Sequence, residues 1–223
     1  MLAHEIPHSF FHVDSQIVAN FRMMLTKPGE MLNDFIGGKR KRYFPPVMFT
    51  IIAVTVFLFS VNYSPDFDIE SMLTVDSTSS KVRQILINAV KFIQKYFKFY
   101  ILIIPLLISW VTYLVYKKSK YNFPEHAVIN AFIFSIILYL LSITSILFRL
   151  AKISSADTDA EFYVSTAIII AYNSFCFYKT YRYFYSKPQM YFRIALTILL
   201  SLASVFLLFF GTLIMALAVA GQF

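Results

Sequence analysis

Four consecutive bases, Lys39 to Arg42, follow two glycines and precede Tyr43 and a long apolar segment. Clustered Lys and Arg side chains bind the phosphates of nucleic acids or of anionic lipids, and aromatic neighbours would also suit base stacking. Because the bases flank an apolar segment of membrane-spanning length, the pattern favours a lipid or protein partner over nucleic acid. The predicted partner- or lipid-binding residues are Gly38, Lys39, Arg40, Lys41, Arg42 and Tyr43.

Three histidines, His4, His8 and His12, are spaced by four residues near the start of the chain. Two imidazoles one helical turn apart can bind zinc. Pro7 is predicted to begin the helix, which leaves His4 outside it, and no further ligand follows in register. We therefore predict no metal site, with His8 and His12 as the nearest candidates.

The segment YNFPEH, residues 121–126, contains the adjacent side chains Glu125 and His126. Asn122 is a typical N-cap, Pro124 suits a first helical turn, and Glu125 complements the positive end of the helix dipole. A carboxylate beside an imidazole at a membrane boundary can also relay protons or bind a headgroup. Both interpretations stay open, and Glu125 and His126 form the second predicted polar site.

Signatures of catalysis are otherwise absent from the sequence. The five glycines form no phosphate-binding loop, and no GxSxG motif occurs. Cys176 is the single cysteine, which excludes an internal disulfide and a CxxC redox pair. The sequence favours a non-enzymatic protein without a cofactor.

The composition indicates that membrane-spanning helices position these residues. Of the 223 residues, 58% are hydrophobic and 14% are charged. A helix needs roughly 20 apolar residues to cross a bilayer. We predict an all-α, polytopic helical membrane protein, with a cytoplasmic, amphipathic and basic N-terminal region at 1–43 and a transmembrane domain at 44–223. Five apolar blocks predict its spans, near 44–62, 99–116, 127–148, 162–178 and 194–220.

The N-terminal region is predicted to contain two helices. Apolar residues from Phe10 to Met24 recur at helical spacing, which predicts an amphipathic helix along the membrane surface. A shorter helix, at 30–36, should end at Gly37 and Gly38, which suit a left-handed cap. The first twenty residues lack the pattern of a cleavable signal peptide. Tyrosine-rich segments at 116–123 and 178–193 are expected in the lipid headgroup zone.

The distribution of bases predicts the orientation in the membrane. With five spans, thirteen of the twenty Lys and Arg residues fall on the side of the N-terminus. Basic residues concentrate on the cytoplasmic side of membrane proteins. We therefore expect a cytoplasmic N-terminus and an external C-terminus.

The segment PGEMLNDFIGGKRKRYFPP, residues 28–46, resembles the membrane proteins grouped as domain of unknown function 3667. The matching positions are Pro28, Gly29, Phe35, Ile36, Gly38, Lys39, Arg40, Tyr43 and Pro46. FHVD and YNFPEH are also similar to that family. Many of its members carry a zinc ribbon ahead of this point, and no function of that ribbon carries over to a chain with one cysteine. The resemblance implies a multi-pass protein of the bacterial inner membrane and no particular activity.

Three functional hypotheses remain from the sequence. The first is a non-enzymatic membrane module that binds membrane lipids, a protein partner or a second copy of itself through its basic cytoplasmic face. The second is a channel or transporter for a small solute or lipid, with Glu125, His126 and polar span residues lining the path. The third is a membrane accessory or regulator of a defence or CRISPR-type effector.

Overall fold

The described part of the chain is almost entirely helical. The structure is a computed structural model, and it describes residues 5–62, 80–151 and 158–220. In that part, seven α-helices follow one another: α1 (Glu5–Thr26), α2 (Pro28–Ile36), α3 (Pro46–Asn62), α4 (Ser80–Val115), α5 (Phe123–Leu150), α6 (Thr158–Tyr181) and α7 (Lys187–Ala220). Short 3₁₀ turns lie at Arg40–Arg42 and Lys117–Ser119. The predicted all-α class is confirmed.

Four segments of the described residues are long and apolar enough to cross a membrane: Arg40–Ser60, Phe123–Leu150, Ala160–Tyr181 and Lys187–Val219. Each overlaps a predicted span. The remaining predicted span, 99–116, corresponds to a shorter apolar segment, Phe99–Val115, within the 36-residue helix α4. The protein is therefore a polytopic helical membrane protein, with four helices that meet the length of a span and a fifth, shorter apolar segment.

Helices α4 and α7 lie antiparallel to each other. Ala89, in the first half of α4, packs against Ala216 near the end of α7. At the other end of the pair, the Arg193 guanidinium in α7 donates a hydrogen bond to the carbonyl of Val115, the last residue of α4. The part of α4 that precedes its apolar segment therefore also packs along α7. Helix α7 is long enough for this contact, since it contains 34 residues.

Helix α5 is central and packs against α1, α3, α4 and α6. Polar side chains link its interfaces: the hydroxyls of Thr50 and Ser135 are 3.0 Å apart, and the Asn130 amide donates to the Thr112 hydroxyl at 2.8 Å. Hydrogen bonds between membrane helices contribute about 0.6–2 kcal/mol each. They help to hold α3 and α4 against α5.

The second half of α1 packs on the protein through its apolar stripe. Met24 is buried in the main core, and Ile17 and Phe21 pack against that core. The Phe21 ring lies 5.7 Å from the Tyr139 ring of α5, and the Tyr172 hydroxyl of α6 donates to the Met24 carbonyl at 3.1 Å. The location of α1 along the membrane surface stays a prediction, but this part of its stripe contacts helices of the same chain.

Candidate functional site

The connecting segments at 116–122 and 182–186 meet at one end of the helical bundle, and Arg40 of the segment at 37–45 lines a depression with Glu125 at the same end. The Lys118 backbone N–H donates to the Tyr185 hydroxyl at 2.9 Å, and the rings of Tyr121 and Phe184 are 5.8 Å apart. The Tyr121 hydroxyl donates to the Asn33 side chain of α2 at 2.8 Å. This end of the bundle therefore gathers the basic segments that the charge distribution assigns to the cytoplasmic side, while the orientation itself stays a prediction.

The turn that leads from α2 to the basic residues depends on a glycine. Gly37 has an ordinary φ of −68°, whereas Gly38 has a φ of +101°. The Lys39 N–H donates to the Asp34 carbonyl at 3.0 Å, and the Gly38 N–H donates to the Phe35 carbonyl at 3.3 Å. This pair of bonds is the Schellman arrangement. The predicted left-handed glycine cap is confirmed at Gly38, where a side chain would be strained.

Helix α1 holds the far side of this turn. The Asn20 side chain is 0% exposed; it donates to the Phe44 carbonyl at 3.1 Å and accepts from the Phe44 N–H at 3.2 Å. The Gln16 amide donates to the Lys41 carbonyl at 3.2 Å. This role of Asn20 was not predicted from the sequence. The sequence feature that could have indicated it is a side-chain amide next to the apolar face of α1.

The predicted binding residues divide into two groups in the structure. The Lys39 ammonium lies 2.8 Å from a carboxylate oxygen of Asp34, and the buried Tyr43 donates to the other oxygen at 3.4 Å. The bond from Lys39 holds the pKa of Asp34 below its ordinary value, and Asp34 raises the pKa of Lys39. The exposed bases Arg40, Lys41 and Arg42 have no ion-pair partner among the described residues.

YNFPEH starts helix α5, and its two predicted site residues lie in separate environments. Asn122 and Glu125 form a capping box, in which the Glu125 carboxylate accepts from the Asn122 N–H at 2.7 Å. Glu125 also lines a surface depression together with Arg40. His126 is 1% exposed, and its Nδ1 lies 3.0 Å from the Tyr181 hydroxyl. Glu125 therefore caps a helix, while His126 belongs to the core.

Four tyrosines, Tyr116, Tyr121, Tyr181 and Tyr185, form a tyrosine cluster where the connecting segments meet. The rings of Tyr116 and Tyr181 stack 4.0 Å apart, and both residues are 0% exposed. Tyr185 is also buried, so these three side chains pack inside the helical bundle, while their depth relative to the lipid headgroups stays a prediction. Burial raises the pKa of Tyr121, which keeps its hydroxyl protonated as the donor to Asn33.

Helices α2 and α6 make a close contact beside this cluster. A Cβ at Gly29 would lie 2.2 Å from the Lys179 carbonyl oxygen, so a glycine is needed where α2 meets the last turns of α6. A polar cavity of about 430 Å³, here named the α2–α6 cleft, opens next to the contact. Its walls are formed by Thr26, Lys27, Gly29, Glu30, Asn33, Asp34, Lys179, Arg182 and Tyr183.

A second cavity lies within the membrane-spanning part. It has a volume of about 310 Å³, and its walls come from α3, α4, α5, α6 and α7. Asn173 and Ser201 are the polar residues in an otherwise apolar lining. Its chemistry suits hydrocarbon and not a charged solute.

Within residues 5–62, 80–151 and 158–220, no group of three or more His, Cys, Asp or Glu residues is placed to hold a metal ion. His8 and His12 lie in α1, but their side chains are outside the described part. His4 lies outside the described residues altogether.

Comparison with known proteins gives a match, and it covers the segment that contains the basic turn. No curated protein and no solved structure matches the chain. One family model, described as Protein of unknown function (DUF3667), matches residues 14–58. This segment contains Asn20, Gly29, the turn at Gly38 and the basic run, so the match covers the residues that build and hold the turn. Over residues 14–58, the chain is similar to the family described as Protein of unknown function (DUF3667).

Proposed function

We propose that the protein is a non-enzymatic membrane module that binds anionic lipid headgroups through its basic cytoplasmic face. The observation that carries the proposal is the basic turn: Arg40, Lys41 and Arg42 are exposed and have no carboxylate partner among the described residues. The turn is held by Gly38 on one side and by Asn20 on the other. A turn held in this way orders the backbone that carries the bases before a ligand arrives, which lowers the entropic cost of binding.

The position of the turn supports lipid as the partner. The bases lie at the start of a segment, Arg40–Ser60, that is apolar enough to span a membrane. Bases at such a boundary are at the depth of lipid phosphates, where each contributes about 1 kcal/mol of attraction to an anionic surface.

The contacts of the span residues support a binding module over a transporter. A polar path would require polar side chains that face a continuous opening. Asn130 and Ser135 instead bond across helix interfaces, and the cavity between the spans is mostly apolar.

The test compares lipid selectivity in two charge-matched variants. Protein is reconstituted in nanodiscs with equal phosphatidylglycerol and phosphatidylcholine, and the lipids retained after transfer to detergent are measured by mass spectrometry. We expect phosphatidylglycerol enrichment in the parent protein and a loss of most of it in Arg40→Gln/Lys41→Gln. The control, Lys95→Gln/Arg149→Gln, removes two bases away from the turn and should keep the enrichment. Equal enrichment in all three proteins would contradict the proposal.

A further inference from the structure

We infer that the α2–α6 cleft is a binding site for one phosphodiester group, of the kind carried by a glycerophospholipid headgroup. None of the cleft walls belongs to the exposed turn at 40–42, so this site is separate from it. The cleft has a volume of about 430 Å³, within the range of roughly 300–1,000 Å³ that small-ligand sites occupy.

The charges of the cleft leave two cations for a ligand. Lys27 lies 3.5 Å from Glu30, and Asp34 lies 2.8 Å from Lys39, so each acid on the walls has a lysine partner. Lys179 and Arg182 have no carboxylate partner among the described residues. Lys179 and Arg182 both line the cleft, and the Lys179 ammonium lies 5.7 Å from the centre of the Phe175 ring. A guanidinium and an ammonium that reach the same phosphate can bind its oxygens by charge-assisted hydrogen bonds.

Asn33 adds a neutral hydrogen-bond donor, and a bond from Tyr121 orients its side-chain amide. Its carbonyl oxygen accepts from the Tyr121 hydroxyl at 2.8 Å, and the residue also lines the cleft. Because that bond uses the oxygen of the amide, the amide nitrogen is left to donate to a ligand. The Arg182 guanidinium is similarly oriented, since it donates to the Tyr183 hydroxyl at 2.6 Å.

The residues of the cleft favour a ligand with one negative charge, and the position of the cleft favours a lipid as its source. A ligand with several negative charges would face the carboxylates of Glu30 and Asp34, so a singly charged phosphodiester fits better than a nucleoside triphosphate. The spanning segment of α6 ends at Tyr181, and Lys179 and Arg182 flank that end. A lipid phosphate lies at this depth, which favours a lipid over a soluble phosphodiester.

The probe is dioleoyl phosphatidylglycerol, titrated into the purified full chain in detergent and followed by native mass spectrometry. The first bound lipid should be about tenfold weaker in Lys179→Gln/Arg182→Gln, since charge-assisted hydrogen bonds are lost. The control, Lys117→Gln/Lys187→Gln, removes two bases at the same end of the bundle and outside the cleft walls, and should bind like the parent. Asn33→Asp keeps an acceptor for Tyr121 but replaces the donor with a negative charge, and should also weaken binding.

Two further ligands test the chemistry and its source. Dioleoylglycerol, which lacks the phosphate, should not replace the first lipid, and equal binding of it would overturn the inference. Glycerophosphoglycerol, which lacks acyl chains, should bind more weakly than the lipid; equal affinity would support the phosphodiester site and overturn the lipid source. Unchanged first-lipid affinity in both cleft variants overturns the site, whereas the Arg40→Gln/Lys41→Gln result tests the turn separately.

Discussion

Asp34 joins the basic turn to the α2–α6 cleft at the scale of single residues. Asp34 lines the cleft, and its carboxylate lies 2.8 Å from the Lys39 ammonium and accepts from the Tyr43 hydroxyl. Lys39 therefore has a structural partner, whereas Arg40 to Arg42 remain available. A sequence pattern of four bases does not distinguish these roles, because the partner of Lys39 is defined by the turn at Gly38.

The ion pair predicts how stability depends on pH. The hydrogen bond from Lys39 lowers the pKa of Asp34 from its ordinary value of 3.8, so this stabilisation is complete above that value and is lost as the pH falls through the lower folded-state pKa. The melting temperature of the detergent-solubilised protein should exceed that of Asp34→Asn near neutral pH, and the difference should shrink in acid. If the difference in melting temperature between the parent and Asp34→Asn stayed constant to below a pH of about 3, the ion pair with Lys39 would not stabilise the fold.

At the scale of elements, α2 is positioned by contacts that its sequence does not reveal. The helix contains nine residues, too few to be stable alone. Gly29 allows it to lie against α6, and Asn33 accepts a hydrogen bond from the Tyr121 hydroxyl of the connecting segment at 116–122. The first contact holds α2 against α6 and the second holds α2 to the segment before α5, and the cleft lies beside the first.

Gly29→Ala should destabilise this contact. The new methyl group would overlap the Lys179 carbonyl, since a Cβ there is 2.2 Å from its oxygen. We expect a loss of about 1–3 kcal/mol, measured as a lower melting temperature in detergent. Gly211→Ala in α7 is the matched control, because a Cβ there has nothing within 4 Å. If the two variants melted at the same temperature, the close contact of α2 with α6 would be wrong.

At the scale of the whole molecule, the antiparallel course of the helices gathers the basic segments at one end. Arg193 at the start of α7 bonds to the end of α4, and Lys118 bonds to Tyr185. The loops at 116–122 and 182–186 are far apart in sequence and meet at the tyrosine cluster, while Arg40 of the basic turn lies beside Glu125 at the same end of the bundle. Such a surface can present many bases to one partner, which no single loop could do.

The predicted orientation can be tested by cysteine labelling in a Cys176→Ala background. Lys41→Cys should be protected from a membrane-impermeant maleimide in intact cells, because bases collect on the cytoplasmic side. Gln222→Cys should be labelled, since five passes place the C-terminus outside. Permeabilised cells should label both positions. Protection of Gln222→Cys in intact cells would indicate an even number of passes.

The sequence by itself determined the helical membrane class, the approximate helix positions and the glycine cap at Gly38. Long apolar blocks have few alternatives to helices in a bilayer, because every backbone polar group must be satisfied within the segment. The helix start at Asn122 was likewise readable as an N-cap, although the sequence prediction gave Glu125 a dipole role and not its bond to the Asn122 N–H.

Only the tertiary structure decided the roles of Asn20, Asn33, Lys179 and His126. Their partners are distant in sequence: Asn20 bonds to Phe44, and His126 contacts Tyr181. Whether a tyrosine is buried or exposed also depends on which helices surround it, as the burial of Tyr116 and Tyr181 shows. Local spacing determines hydrogen bonds within a helix, whereas a cleft depends on how helices pack, and packing depends on side chains from several segments at once.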